Sequence, residues 1–251
     1  MLTLALESTA AIASVALCED GRCLYTVQSD CGLTHSEQLL PMVRDALRTV
    51  GKAVGDIDLY ACTAGPGSFT GVRIAAAVLK GMAYGTGKPC APVSTLQSLG
   101  RNLLPLDGLY CPVMDARRSQ VYTALFTCEN GKLVRLTPDE AVPLEELAKQ
   151  LAARCPDGKK IYLCGDGYGV AMKALADKGL PLAETPPLLR GQNAFSTALC
   201  AEEMAEAGET VTEPQLRPTY LRLPQAERER LAALRAAEEA EESGEKANGS
   251  T

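Results

Sequence analysis

Gly65-Pro66-Gly67-Ser68-Phe69-Thr70-Gly71-Val72-Arg73 is the stretch that decides how this chain is read. Upstream of it, Ile57 to Ala64 is an apolar run of the kind that forms a buried strand. Downstream, Ile74 to Tyr84 carries the Ala, Val, Leu and Met of a packed helix. Three glycines and a proline at a strand-to-helix corner let one backbone approach another closely, with N–H groups opening toward the helix start. That invites a phosphate-loop reading. A nucleotide P-loop, however, needs Lys and then Ser or Thr directly after its last glycine, and here Val72 and Arg73 follow Gly71. The Walker reading fails.

Working outward, Leu2–Leu6, Ile12–Cys18 and Cys23–Gln28 are expected to be three strands joined by polar turns. A helix should start at Thr34, where Thr34 and Glu37 make a T-x-x-E capping box and Leu39, Leu40, Val43 and Leu47 recur at helical spacing. Pro41 inside that pattern predicts a kink. With the strand from Ile57 and the helix from Phe69, the order is β-β-β-α-β-α. It recurs: strands at Tyr110–Met114, Val121–Cys128 and Lys132–Leu136, a helix at Leu144–Ala153, a strand at Ile161–Cys164 and a helix at Tyr168–Asp177, followed by a helix at Ala194–Ala207. The expected class is therefore α/β with an internal duplication. The expected divisions are residues 1–97, residues 98–224 and a charged tail, 225–251.

Composition narrows the function. The net charge is −6, of which Gln225–Thr251 carries −3, and no Lys/Arg cluster is large enough to track a phosphate backbone. Alone, the chain is expected to bind tRNA or DNA poorly. The tail, with Leu231 and Leu234 its only apolar anchors, is expected to stay solvated. Ten scattered cysteines without a C-x-x-C pair, and a start that reads as a strand rather than a signal peptide, point to reduced thiols and a cytoplasmic protein. No apolar run is long enough to span a membrane. A single histidine, His35, at the first helical position, removes most metal and triad chemistry.

Two stretches stand where duplicated α/β nucleotide-binding folds place phosphate loops. Glu7-Ser8-Thr9 lies between the first two strands, but Ala10 and Ala11 occupy a turn that usually needs glycine, so a degenerate loop is expected. Gly165-Asp166-Gly167 opens a helix after a strand and is equally compatible with a second phosphate loop or a plain glycine turn. Asp115-Ala116-Arg117-Arg118 ends a strand and reads as a surface ion pair, with a partner contact open.

Taken together, Leu2 to Thr9, His35-Ser36-Glu37 to Pro41, Ala64 to Ile74, Asp115 to Arg118 and Arg217-Pro218-Thr219-Tyr220-Leu221-Arg222 resemble the TsaB (YeaZ-type) family of the bacterial tRNA threonylcarbamoyladenosine machinery, in order over residues 1 to about 224. The resemblance implies a duplicated actin-like (ASKHA, ribonuclease-H-like) fold. It implies a subunit that supports threonylcarbamoyl transfer to the adenosine next to the anticodon in tRNAs reading codons that begin with A. The implied partners are a TsaD-type catalytic subunit, a TsaE-type ATPase, or a second copy when TsaD is absent, with tRNA met only through the complex. TsaD holds its metal through H-x-x-x-H; the matching positions here are Thr95 and Leu99. A hydroxyl and a hydrocarbon cannot replace two imidazoles, so a non-catalytic subunit without metal or cofactor is expected. An independent ATPase or kinase and a metallopeptidase are the competing readings.

The partner face is expected on the two helices of the first half. The second presents Gly71, Ala75, Val78, Met82 and Gly85 as a ridge of small and apolar residues, and the first presents Leu39, Met42, Val43 and Ala46. The resemblance points the same way, to a bundle of first-domain helices.

Overall fold

The computed structural model describes residues 1–155 and 158–222; the expectations for the tail 225–251 lie outside the described residues. The chain divides into two compact units, Met1–Thr219 and Tyr220–Thr251. All elements below belong to the first.

Strand β1 (Leu2–Glu7) is buried along its whole length, as the central strand of a sheet covered on both faces must be. Antiparallel β2 (Ala13–Glu19) and β3 (Arg22–Ser29) flank it on one side, and parallel β4 (Leu59–Gly65) and β5 (Cys90–Ser94) on the other. The order is β3-β2-β1-β4-β5. Period-two alternation sorts the two faces. Leu4, Leu6, Val15, Leu17, Tyr60 and Cys62 pack under α1 (His35–Val50) and α2 (Phe69–Ala83). Ala5, Ala16, Ala61 and Ala91 look the other way. Those alanines are small, and they admit an equally small helix, α6 (Ala194–Glu206), through Ala194, Ala198 and Ala201. A core poor in aromatics thus fills its space by close approach rather than by large side chains.

The second half repeats the pattern. Strands β6 (Leu109–Asp115), β7 (Gln120–Thr123), β10 (Glu140–Pro143), β11 (Ile161–Cys164) and β12 (Leu182–Ala183) run in the order β10-β7-β6-β11-β12, strand for strand the order of the first sheet. Helices α4 (Leu144–Arg154) and α5 (Tyr168–Leu175) take the places of α1 and α2. The duplication expected from the sequence is there, with one correction. Val121–Cys128 is not one strand. It breaks at Ala124–Leu125, and β8 (Phe126–Glu129) with β9 (Lys132–Arg135) forms an inserted hairpin pairing with β6. The third strand of this half is β10, which sequence reading passed over because its four residues, Glu140-Ala141-Val142-Pro143, are too few for a clear alternation and end on a proline.

A second correction concerns the boundary between halves. Helix α6 follows the second sheet in sequence but covers the first, and Val211 returns to bridge Cys90 on β5. Short α3 (Thr95–Arg101) lies between, its Ser98 hydroxyl 2.9 Å from that of Thr197 on α6. A contiguous 98–224 block therefore does not correspond to one half.

Helix α1 begins as expected: the Glu37 carboxylate accepts the Thr34 N–H at 3.1 Å and the Thr34 hydroxyl at 2.6 Å. It ends at Gly51 with φ +71°. Pro41 lies inside it, and the helix continues through.

Gly71 and Gly81 on α2 give opposite expectations. A Cβ on Gly71 would run into the Ser8 carbonyl, whereas nothing lies within 4 Å of one on Gly81. Gly71→Ala should destabilise the chain by about 3 kcal/mol through overpacking. Gly81→Ala should stabilise it by about 0.5–1 kcal/mol, because it only removes backbone freedom from a helix interior. Urea unfolding monitored by far-UV circular dichroism separates the two.

Candidate functional site

The Gly65–Arg73 corner leaves β4, caps α2 through the Ser68 hydroxyl, which accepts the Gly71 N–H at 3.2 Å, and then presses on the turn between β1 and β2. The Ser68 N–H donates to the Thr9 carbonyl at 2.7 Å. The Ser8 hydroxyl donates to the Gly71 carbonyl at 2.9 Å. A Cβ on Gly67 would stand 2.6 Å from the Thr9 carbonyl oxygen, and one on Gly65 would strike the Thr219 carbonyl. All three glycines are therefore spent on backbone-to-backbone packing. Ser8 and Thr9 are buried, held there by the corner itself. A phosphate cradle needs N–H groups that face outward; here the Ser68 N–H faces the Thr9 carbonyl and the Gly71 N–H the Ser68 hydroxyl.

The second loop behaves alike. The Gly165 N–H donates to the Arg190 carbonyl at 2.6 Å and the Gly167 N–H to the Val113 carbonyl at 3.1 Å. The Arg190 guanidinium lies 4.3 Å over the Tyr168 ring at the start of α5. Asp166 keeps an open side toward solvent, yet burial of its other side lifts its pKa, opposed first by the backbone N–H of Asp115.

Between the two loops lies a buried carboxylate. Glu7 is fully inaccessible; its Oε1 accepts the Thr9 N–H at 2.6 Å and the Thr9 hydroxyl, and its Oε2 has no hydrogen-bond partner among the described residues. Burial pushes its pKa up, the Thr9 bonds oppose this, and the charge of Asp166 adds to the rise.

Thr95 and Leu99, the positions matched to the H-x-x-x-H pair, are closed as well. Thr95 starts α3, fully buried, with its hydroxyl unpartnered among the described residues, and Leu99 packs into the core with Tyr110, Met114 and Phe126. Among the described residues no group of three or more His, Cys, Asp and Glu comes together as a metal site. His35 is half-buried at the head of α1. Asp115 accepts the Arg117 N–H at 2.7 Å, and Arg117, Arg118 and Ser119 turn the chain with φ of +65°, +55° and +56°, leaving both arginines exposed.

The partner-face residues divide. Leu39, Val43, Ala46, Gly71 and Ala75 are buried against the sheet and offer no surface. The ridge was displaced in the sequence reading because Gly71 and Ala75 were placed outward, whereas Gly71 has to face Ser8. Met42, Val78 and Met82 are half-buried at the edge of the core, and Gly85 is exposed. The outward stripe of α2 is Ile74, Ala77, Val78 and Gly81, at i, i+3, i+4 and i+7. Beside it, Leu40 and Tyr84 are exposed large apolar residues.

The fold and its loops define a class: a duplicated actin-like α/β protein whose two glycine-bearing loops are closed by its own backbone. Comparison with known proteins agrees. A family model described as TsaD, tRNA N6-adenosine threonylcarbamoyltransferase, matches residues 29–228. The tRNA threonylcarbamoyladenosine biosynthesis protein TsaB of Escherichia coli is 31% identical over 227 residues, covering 88% of this chain and 95% of that one. The Bacillus subtilis protein of the same name is 33% identical over 151 residues, 60% of this chain and 66% of its own. The solved structure of YeaZ from Pseudomonas aeruginosa superposes with a TM-score of 0.75 at 30% identity, covering 88% and 99% of the two chains. The chain belongs to the TsaD family and, within it, to the TsaB (YeaZ-type) group.

Glu7 gives a pH prediction with a definite sign. Its folded pKa is raised, so the stability it supports is complete below the unfolded carboxylate value of about 4.3 and is lost as pH rises through the folded value. Glu7→Gln keeps an acceptor for Thr9 and removes the titration. Its melting temperature should match the parent's near pH 4.5 and exceed it at pH 7.5, by roughly 2–4 °C for each kcal/mol released. Calorimetry at the two pH values reads the difference.

Proposed function

We propose that this chain is a non-catalytic subunit of tRNA threonylcarbamoyladenosine biosynthesis. It supports threonylcarbamoyl transfer by holding a TsaD-type catalytic subunit, and with it a TsaE-type ATPase. The observation that carries this reading is the closure of both loops: Ser68 N–H on Thr9, and Gly165 and Gly167 N–H on Arg190 and Val113. A fold that in enzymes presents such donors to phosphate has here turned them inward, and the two metal positions hold Thr95 and Leu99. What remains for the chain to offer is surface.

The surface best suited to a partner helix is the α2 stripe of Ile74, Ala77, Val78 and Gly81, flanked by Leu40. Small residues at i, i+3, i+4 and i+7 let a second helix approach closely, and half-exposed Ile74 and Val78 gain burial when it does. The same stripe serves self-association when no TsaD-type subunit is present. The names of the relatives support the pathway: they are called biosynthesis proteins of this modification.

Replacing exposed residues tests the surface without disturbing the core. Leu40→Glu with Gly81→Glu should keep the parent's melting curve yet weaken capture of the TsaD-type subunit, and self-association, by at least a hundredfold. Analytical ultracentrifugation of the chain alone and of the mixture checks both; undiminished binding places the interface elsewhere.

The isolated chain is further expected to neither hydrolyse ATP nor modify tRNA. Turnover of radiolabelled ATP by the chain alone would favour the independent ATPase or kinase reading, and threonylcarbamoyl transfer by preparations free of the TsaD-type subunit would show the chain to be catalytic.

A further inference from the structure

A second feature of α2 is not used by that reading. On the flank next to the apolar stripe, Arg73, Ala76, Ala77 and Lys80 face the returning segment Pro214 to Pro218 across an open groove of about 380 Å³. Its floor is apolar, made by Ala76, Ala77, Leu216 and two prolines, and its rim carries Arg73, Lys80 and Arg217. Among the described residues none that lines it is acidic, although the whole chain carries a net charge of −6. Glu213 lies just outside the lining. Lys80 and Arg217 form no ion pair among the described residues. A local excess of positive charge on an acidic protein, over an apolar floor, is a selective surface and not a general attraction for anions.

We propose that this groove binds an extended acidic peptide segment of a partner protein, with carboxylates on Lys80 and Arg217 and an apolar side chain on the floor. The floor favours a peptide over a single phosphate: Ala76, Ala77, Leu216 and two prolines give an apolar side chain a place to be buried, which a phosphate does not use. The lining also lacks what a nucleotide wants. Among the described residues it contains no aromatic ring for a base to stack on, and Phe69 at the start of α2 has the Arg73 guanidinium 3.8 Å over its face. The groove shares Ala77 with the helix-docking stripe, so a partner seated there can lay a neighbouring segment into the groove. The inference stands on the groove's own chemistry and not on the identity of that partner.

The test is an anisotropy titration of the full chain against a fluorescein-labelled peptide alternating glutamate and leucine, with a lysine–leucine peptide as the control. Saturable binding of the acidic peptide alone is expected, weakened at least tenfold between 50 and 500 mM salt. Lys80→Glu and Arg217→Glu should each weaken it a further tenfold at unchanged melting temperature. Should either variant unfold, the milder Lys80→Ala with Arg217→Ala gives the same reading. Leu40→Glu with Gly81→Glu should retain the peptide while losing the docked subunit, which separates this inference from the docking surface. Absence of binding by the parent chain overturns the proposal. So does binding indifferent to Lys80 and Arg217, or displacement by ADP with the same dependence on those residues, which assigns the groove to phosphates instead.

Discussion

The approach of Gly71 to the Ser8 carbonyl is the constraint on which the rest of the structure depends. It fixes how deeply α2 sits on the end of the first sheet, because no side chain can be placed between the two backbones. With α2 seated, Ser68 reaches Thr9, the β1–β2 turn is pinned, and Glu7 is sealed beneath it. The same seating turns Gly71 and Ala75 inward, which leaves Ile74, Ala77 and Gly81 facing out. One close backbone contact therefore both shuts the first nucleotide loop and sets which flank of α2 is offered to other molecules.

Closure of that loop has an electrostatic consequence. In an open site a carboxylate at the end of β1 is solvated or neutralised by what binds there. Here Glu7 is cut off from water with one oxygen unpartnered among the described residues, and its pKa rises for that reason. The chain thus keeps this carboxyl in an environment that favours its neutral form, at a cost in stability that an apolar replacement would not carry.

The surfaces proposed for binding lie on α1 and α2, where two kinds of chemistry stand side by side. The outward stripe of α2 is small and apolar and suits a helix, while the adjoining flank is cationic and suits carboxylates. Both are set by rotation about one helix axis. Residues 74, 77, 78 and 81 take one direction, and 73, 76, 77 and 80 the next. A partner that meets both gains burial from the first and orientation from the second.

Much of this was legible along the chain. The strands from Leu2 to Gln28, the Thr34–Glu37 start of α1 and the duplicated order all follow from local periodicity and turn chemistry, which depend on neighbours in sequence. The inserted β8–β9 hairpin, β10 and the return of α6 to the first sheet were not legible, since each depends on which distant surface an element covers. Glycine spacing at 65, 67 and 71 signalled a close approach but not to what. Only the tertiary structure decided that the approaching backbone is the chain's own Ser8–Thr9 turn and not a phosphate, and that Arg73, Lys80 and Arg217, far apart in sequence, share one groove. Local sequence sets which elements form; long-range packing, where a few tenths of an ångström decide what fits, sets which of their faces remain for binding.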